Sequence, residues 1–258
     1  SNNVSVLFGI GNGAFATAVN YSTGVAPRGV APSSVTLGDL NRDGILDIIT
    51  ANYGSNDVSV LRGNANGTFG TAVNHSTGDA PSSVTLGDVN RDGVLDIITA
   101  NRNSDTASVL LGNGMAPGDF GSATNFATGD APSSVTLGDV NGDGLGDVIV
   151  STNSTNADFS AAYVVFGKAS TTSVTVSNLN ASQGFSILGG SAASYIRGVS
   201  SAGDMNGDGL SDLIVGAKNG DTYVVYGKSS GTSVNLSSAT IATSTGFKIE
   251  SRFYDDAY

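Results

Sequence analysis

The stretch Asp39-Leu-Asn-Arg-Asp-Gly-Ile-Leu-Asp47 places three carboxylates and one amide oxygen within nine residues. It returns as Asp88-Val-Asn-Arg-Asp-Gly-Val-Leu-Asp96, as Asp139-Val-Asn-Gly-Asp-Gly-Leu-Gly-Asp147 and as Asp204-Met-Asn-Gly-Asp-Gly-Leu-Ser-Asp212. In this D-x-N-x-D-G-x-x-D pattern the oxygen donors fall at positions 1, 3, 5 and 9, with glycine at 6. Such a set suits a hard divalent cation, which takes roughly six to eight oxygens. The candidate side-chain ligands are Asp39, Asn41, Asp43 and Asp47; Asp88, Asn90, Asp92 and Asp96; Asp139, Asn141, Asp143 and Asp147; and Asp204, Asn206, Asp208 and Asp212. Position 7, occupied by Ile45, Val94, Leu145 and Leu210, can offer only its carbonyl oxygen. Its apolar side chain is expected to point into a core. Glycine at 6 allows a sharp turn, having no Cβ to forbid positive φ.

Asp, Asn and Gly also make ordinary turns, and one copy would not separate the two readings. A turn has no need of an aspartate three residues after the glycine, yet all four copies keep one. Calcium is the expected ion, one per loop and four in all.

Composition supports this. The chain of 258 residues has a net charge of −11, with 21 aspartates and a single glutamate, Glu250. Twelve of those aspartates lie in the four loops. Four divalent cations would bring −11 to −3, so the acidity reads as ligand charge and not as a disordered acidic tail. A nucleic-acid partner calls for a basic face and is not expected. No apolar run approaches the roughly 20 residues of a membrane helix. The absence of cysteine excludes disulfides and thiolate metal sites. Oxygen-only loops fill most readily where calcium is millimolar, so a secreted or cell-surface location is expected. The opening Ser-Asn-Asn reads as a mature secreted chain or an excised fragment, not as a secretion signal.

Catalytic groups are scarce outside the loops. There is one histidine, His75, and no G-x-S-x-G elbow, so no enzymatic role is expected. By repeat alignment His75 takes the slot of Tyr21 and Phe126 and reads as a packing ring. Asp57, Asp79, Asp105, Asp119, Asp130, Asp158, Asp221, Asp255 and Asp256 sit among Gly, Asn and Ser and read as turn residues. Arg42 and Arg91, at loop position 4, are expected to be solvated.

The elements that hold the loops follow from the repeats. The loops start at 39, 88, 139 and 204, so the steps are 49, 51 and 65 residues. Periods of about 40 to 50 point to propellers or solenoids. An alternating segment precedes each loop, such as Ser34-Val-Thr-Leu-Gly38, and a β-branched run follows, such as Leu46-Asp-Ile-Ile-Thr50. A third segment (Val58–Leu61, Ala107–Leu111, Tyr163–Phe166, Tyr223–Tyr226) and a weaker fourth, such as Thr68–Val73, complete four short strands. No helical period is sustained. The fold class is therefore all-β, a β-propeller of four-stranded antiparallel blades. The expected organisation is a half-blade over 1–32 and blades over 33–80, 82–131, 133–196 and 198–258. This comes to about four and a half blades, expected as part of a larger ring or of one completed by self-association.

The stretch Gly198-Val-Ser-Ser-Ala-Gly-Asp-Met-Asn-Gly-Asp-Gly-Leu-Ser-Asp-Leu-Ile-Val-Gly-Ala217 resembles an FG-GAP repeat, the unit of the integrin α-subunit propeller and its bacterial relatives. The shorter early repeats resemble the related VCBS-type variant. The resemblance implies a calcium-stabilised propeller, often of seven blades, in secreted or surface proteins that bind proteins or glycans. Carried over by position, it implies the four side chains of each loop and the position-7 carbonyl as ligands. Asparagine at position 3, where many members have aspartate, implies weaker binding. The expected function is an extracellular adhesion or ligand-binding module. Its rivals are a lectin-like propeller, a non-catalytic part of a larger secreted enzyme and a structural unit of a surface assembly.

Overall fold

β-Branched and alternating segments dominate the sequence, and the structure builds them into strands. The structure, a computed structural model, describes residues 2–24, 32–113, 120–153, 161–168, 174–189, 196–217, 220–236 and 241–249. Asp119, Asp158, Glu250, Asp255 and Asp256 lie outside the described residues. The chain divides into two compact units, Ser1–Phe126 and Ala127–Tyr258.

In the first unit, β1 (Asn3–Val6) pairs antiparallel with β2 (Val19–Ser22). A four-stranded sheet follows in sequence order, β3 (Ser34–Gly38), β4 (Asp47–Asn52), β5 (Asp57–Leu61) and β6 (Val73–Ser76). A second sheet repeats that order with β7 (Pro81–Gly87), β8 (Asp96–Asn101), β9 (Thr106–Leu110) and β10 (Thr124–Ala127). β7 packs against β3 and β4, and Leu40, Ile49, Ala51, Val58 and Val60 meet Val84, Ile97 and Leu110 in one core. The second strand of each sheet is buried along its whole length. Its apolar residues account for one part of that; the polar ones are satisfied internally. Thr50 donates to Asn52 at 3.0 Å, Asn52 to Ser59 at 2.7 Å, and Ser59 to Asn74 at 2.8 Å. Thr99, Asn101, Ser108 and Asn125 repeat the chain. Buried polar groups joined in this way fix strand register, because any slip would orphan them.

The second unit keeps the plan. β11 (Pro132–Gly138), β12 (Asp147–Thr152), β13 (Ala161–Val165) and β14 (Gly184–Leu188) form one sheet. β15 (Ile196–Gly203), β16 (Asp212–Ala217), β17 (Thr222–Val225) and, after a gap in order, β19 (Gly246–Ile249) form the other. The skipped strand, β18 (Val234–Asn235), joins the first of these sheets, parallel to β14. β15 packs on β11 and β12, around a core that includes Val140, Ile149, Val164, Phe185, Ile187, Leu213 and Val215.

The acidic loops lie where the sequence placed them, between the first and second strand of each of the four larger sheets. Three expectations need correction. The fourth strand of the early repeats is Val73–Ser76, not Thr68–Val73; Phe69 makes only an isolated bridge to Gly63. Position 7 is fully buried only at Val94; Ile45, Leu145 and Leu210 are half-buried. Arg42 is not simply solvated, because its guanidinium donates to the Gly93 carbonyl of the next loop. The aromatic slot behaves as expected: Tyr21 meets Phe69 edge-on at 5.4 Å, and His75 meets Phe120 at 5.3 Å. Among the described residues no helix is long and apolar enough to cross a membrane.

Candidate metal-binding loops

Each loop is organised by its own side chains. In the first, Asp39 accepts from the main-chain N–H of Asp43 at 3.1 Å and of Gly44 at 2.8 Å. Asn41 Oδ1 accepts from Asp43 N–H at 3.2 Å, and Asp43 Oδ1 accepts from Ile45 N–H at 2.8 Å. The Asn41 amide donates to the other Asp43 oxygen at 2.8 Å. The second loop repeats these contacts through Asp88, Asn90 and Asp92. The third does so through Asp139, Asn141 and Asp143, with Gly142 N–H donating to Asp139 at 2.8 Å. The fourth does so through Asp204, Asn206 and Asp208. The side chains at 1, 3 and 5 are thus turned inward over one short arc of backbone.

The tight arc needs left-handed backbone at two places. Position 6 has φ of 82°, 77°, 77° and 87° in the four loops, which glycine adopts without a Cβ penalty. Position 4 is also left-handed, and there the first two loops carry Arg42 at 59° and Arg91 at 62°, while the others carry Gly142 and Gly207. The glycines at position 4 of the later loops were the signal for this.

The position-9 aspartate does a different job. Asp47, Asp96, Asp147 and Asp212 are all fully buried. One oxygen of each accepts from the N–H of loop position 2: Leu40 at 3.1 Å, Val89 at 2.9 Å, Val140 at 2.8 Å and Met205 at 2.7 Å. The other accepts from a glycine just past the third strand: Gly63 at 2.9 Å, Gly112 at 2.8 Å, Gly167 at 2.7 Å and Gly227 at 2.8 Å. A Cβ on these glycines would lie 2.4 to 2.8 Å from the carbonyl oxygen of loop position 8. The position-7 side chain presses on the same spot, within 2.5 to 2.7 Å of that Cβ. The loop is thereby pinned to the end of the third strand of its own sheet. Sequence reading missed these glycines, although each stands sixteen or so residues after its aspartate in the first two repeats.

Burial acts against charge at two of the position-9 aspartates. Burial, with Asp143 and Asp139 nearby, raises the Asp147 carboxyl to about 6. Burial raises Asp96 in the same direction, against the pull of its two backbone donors and with help from Asp92 and Asp88. Exposed Asp204 is lowered by the N–H groups of Gly209, Gly207 and Asp208. A dry carboxylate beside two others is stabilised by a proton or by a cation. The first loop has its own answer: Arg62 Nη1 donates to Asp47 Oδ2 at 2.5 Å.

Among the described residues no three His, Cys, Asp or Glu side chains gather into a ready cluster. The donor set of each loop instead mixes aspartate with the asparagine amide oxygen and main-chain carbonyls. All are oxygens, as calcium prefers, and none is the nitrogen or sulfur that zinc would favour. By donor chemistry the loops fit a hard divalent cation.

The FG-GAP-like repeat family matches residues 1–50, 39–99 and 93–150, and the FG-GAP repeat matches residues 198–234. No curated protein matches the sequence. Among solved structures, BBS1N, crystallised in complex with ARL6DN and soaked with mercury, is 14% identical with a TM-score of 0.52. That likeness covers 85% of this chain and 57% of the other. The V. cholerae biofilm matrix protein Bap1 is 18% identical over 74% of this chain and 34% of its own, with a TM-score of 0.37, too loose an overlap to carry an argument. This chain spans little more than half the length of the first and a third of the second. The repeated sheets, the loop between their first two strands and the family match over more than half the sequence agree: the chain belongs to the FG-GAP repeat family of β-propeller proteins.

Proposed function

We propose that this propeller is a calcium-stabilised, non-catalytic binding module of a secreted or cell-surface protein. The observation that carries the reading is the fourfold recurrence of one oxygen-rich loop, each pinned through a buried aspartate to the end of its sheet's third strand. Asp39, Asn41, Asp43, Asp47 and the Ile45 carbonyl, with their counterparts in the other three loops, would hold the ion. Calcium would supply positive charge to carboxylates that burial otherwise disfavours. The chain's own residues then set the geometry. Positions 1, 3 and 5 shape the arc, and position 9 locks it to the strands behind.

Within each four-stranded sheet the loops between strands one and two, and between three and four, emerge at one end; the strand two to three turns emerge at the other. In the first unit Tyr53 joins one such turn to the next through Asn103 at 3.3 Å, and Asn56 bonds to Asp79, in the connection between the two sheets, at 3.1 Å. A stiff scaffold with short, polar, ordered turns suits recognition of a protein or glycan surface. BBS1N, which shares the fold, was crystallised with the protein ARL6DN, so a protein is the first class of ligand to test.

A thermal melt in excess calcium against one in EDTA tests the calcium half. An ion bound only to the folded state adds about 2.7 kcal/mol per site at a hundredfold excess over Kd. Spread over four loops, this predicts a midpoint at least about 10 °C higher in calcium. An unchanged midpoint would remove calcium as the stabiliser.

A further inference from the structure

Arg62 occupies a slot that is apolar in every other repeat. The residue before the strand-three glycine is Phe8, Leu111, Phe166 and Tyr226 elsewhere. Phe166 and Tyr226 turn toward the fourth strand of their own sheet, meeting Phe185 at 6.1 Å and Phe247 at 6.3 Å. Arg62 turns instead to the loop and places Nη1 2.5 Å from Asp47 Oδ2. Its side chain is only 18% exposed, and its Nε and Nη2 are buried with no hydrogen-bond partner among the described residues. Asp47 is therefore the principal polar contact of a largely desolvated guanidinium.

We propose that Arg62 is a built-in counter-ion that makes the first loop the weakest of the four cation sites. The inference rests on the reading of the loops as calcium sites. A carboxylate offers about four lone-pair directions. Asp96, Asp147 and Asp212 each use two of them on backbone N–H groups. Asp47 uses three, counting Leu40, Gly63 and Arg62. The first loop thus has less free donor capacity at position 9 and a fixed positive charge beside it. Repulsion between a partly buried unit charge and a divalent ion a few ångströms away exceeds what a tenfold change in affinity requires.

Calorimetric titration of the EDTA-stripped full chain with calcium chloride tests this. The expected isotherm has two classes, three tighter sites and one at least about tenfold weaker. Arg62→Leu, which installs the residue found at Leu111, is expected to bring the weak site into the tight class. Leu111→Arg is expected to do the reverse and leave two tight sites. Leu111 is 43% exposed, so this second variant tolerates the change even if Arg62→Leu does not fold. Four equivalent sites in the wild type, or a tight-site count that Leu111→Arg leaves unaltered, would overturn the role of Arg62 while leaving the calcium reading intact. No calcium binding by the wild type would overturn both.

Discussion

Asp96→Ala is expected to lower stability by about 2–4 kcal/mol, in EDTA as well as in calcium. The aspartate is fully buried and receives Val89 N–H at 2.9 Å and Gly112 N–H at 2.8 Å. Alanine leaves both donors buried without acceptors, at about 1–3 kcal/mol each. Burial that raises the Asp96 carboxyl offsets part of this loss, because the ionised group was itself disfavoured there. Asp92→Ala is the control. Asp92 sits at the exposed end of the same loop and orders only Val94 N–H and the Asn90 amide. Its loss is expected to cost most of its effect in calcium and little in EDTA. Denaturant unfolding of both variants under both conditions separates the two roles. A cost for Asp96→Ala seen only in calcium would mean that this side chain is a ligand and not a structural pin.

Gly112→Ala is expected to cost about 3 kcal/mol and to blunt the response to calcium. A Cβ there would lie 2.6 Å from the Leu95 carbonyl oxygen and 2.7 Å from Val94 Cγ1. Leu95 immediately precedes β8, whose residues are buried throughout, so the backbone has nowhere to retreat. The sheet must open at this point, which lengthens the Gly112 bond to Asp96 and loosens the loop behind it. Gly121→Ala is the matched control, since its nearest neighbour, the Leu111 carbonyl oxygen, is 3.8 Å away. That change is expected to stay within about 0.5 kcal/mol of wild type. Equal costs for the two glycines, measured by denaturant unfolding with calcium present, would contradict the close-approach account.

Much of this architecture could be read in advance because its signals are local and repeated. Asp39–Asp47 and its three copies carry their own turn chemistry. The runs after them, such as Ile48-Ile-Thr50, are too apolar and β-branched for anything but a central strand. What escaped reading depends on distance or on small differences between repeats. The fourth strand Val73–Ser76 is mostly exposed and polar, so hydrophobic alternation pointed to the nearby Phe69 instead. β18 is two residues long, and its pairing with Ile187 and Leu188 crosses nearly fifty residues of chain. Arg62 carries no sequence signal of its own, and its slot is seen to face Asp47 only in the fold. Nothing local marks the glycines past the third strands; the position-8 carbonyl, brought close by folding, explains why nothing larger fits.

The central expectation is that the acidic loops hold cations between the first two strands of each blade. An anomalous difference map from crystals grown in millimolar calcium, collected at long wavelength, tests this most directly. The predicted result is one peak in each of the four loops, surrounded by the position 1, 3, 5 and 9 side chains and the position-7 carbonyl. Four well-ordered loops with no peak above background would contradict it.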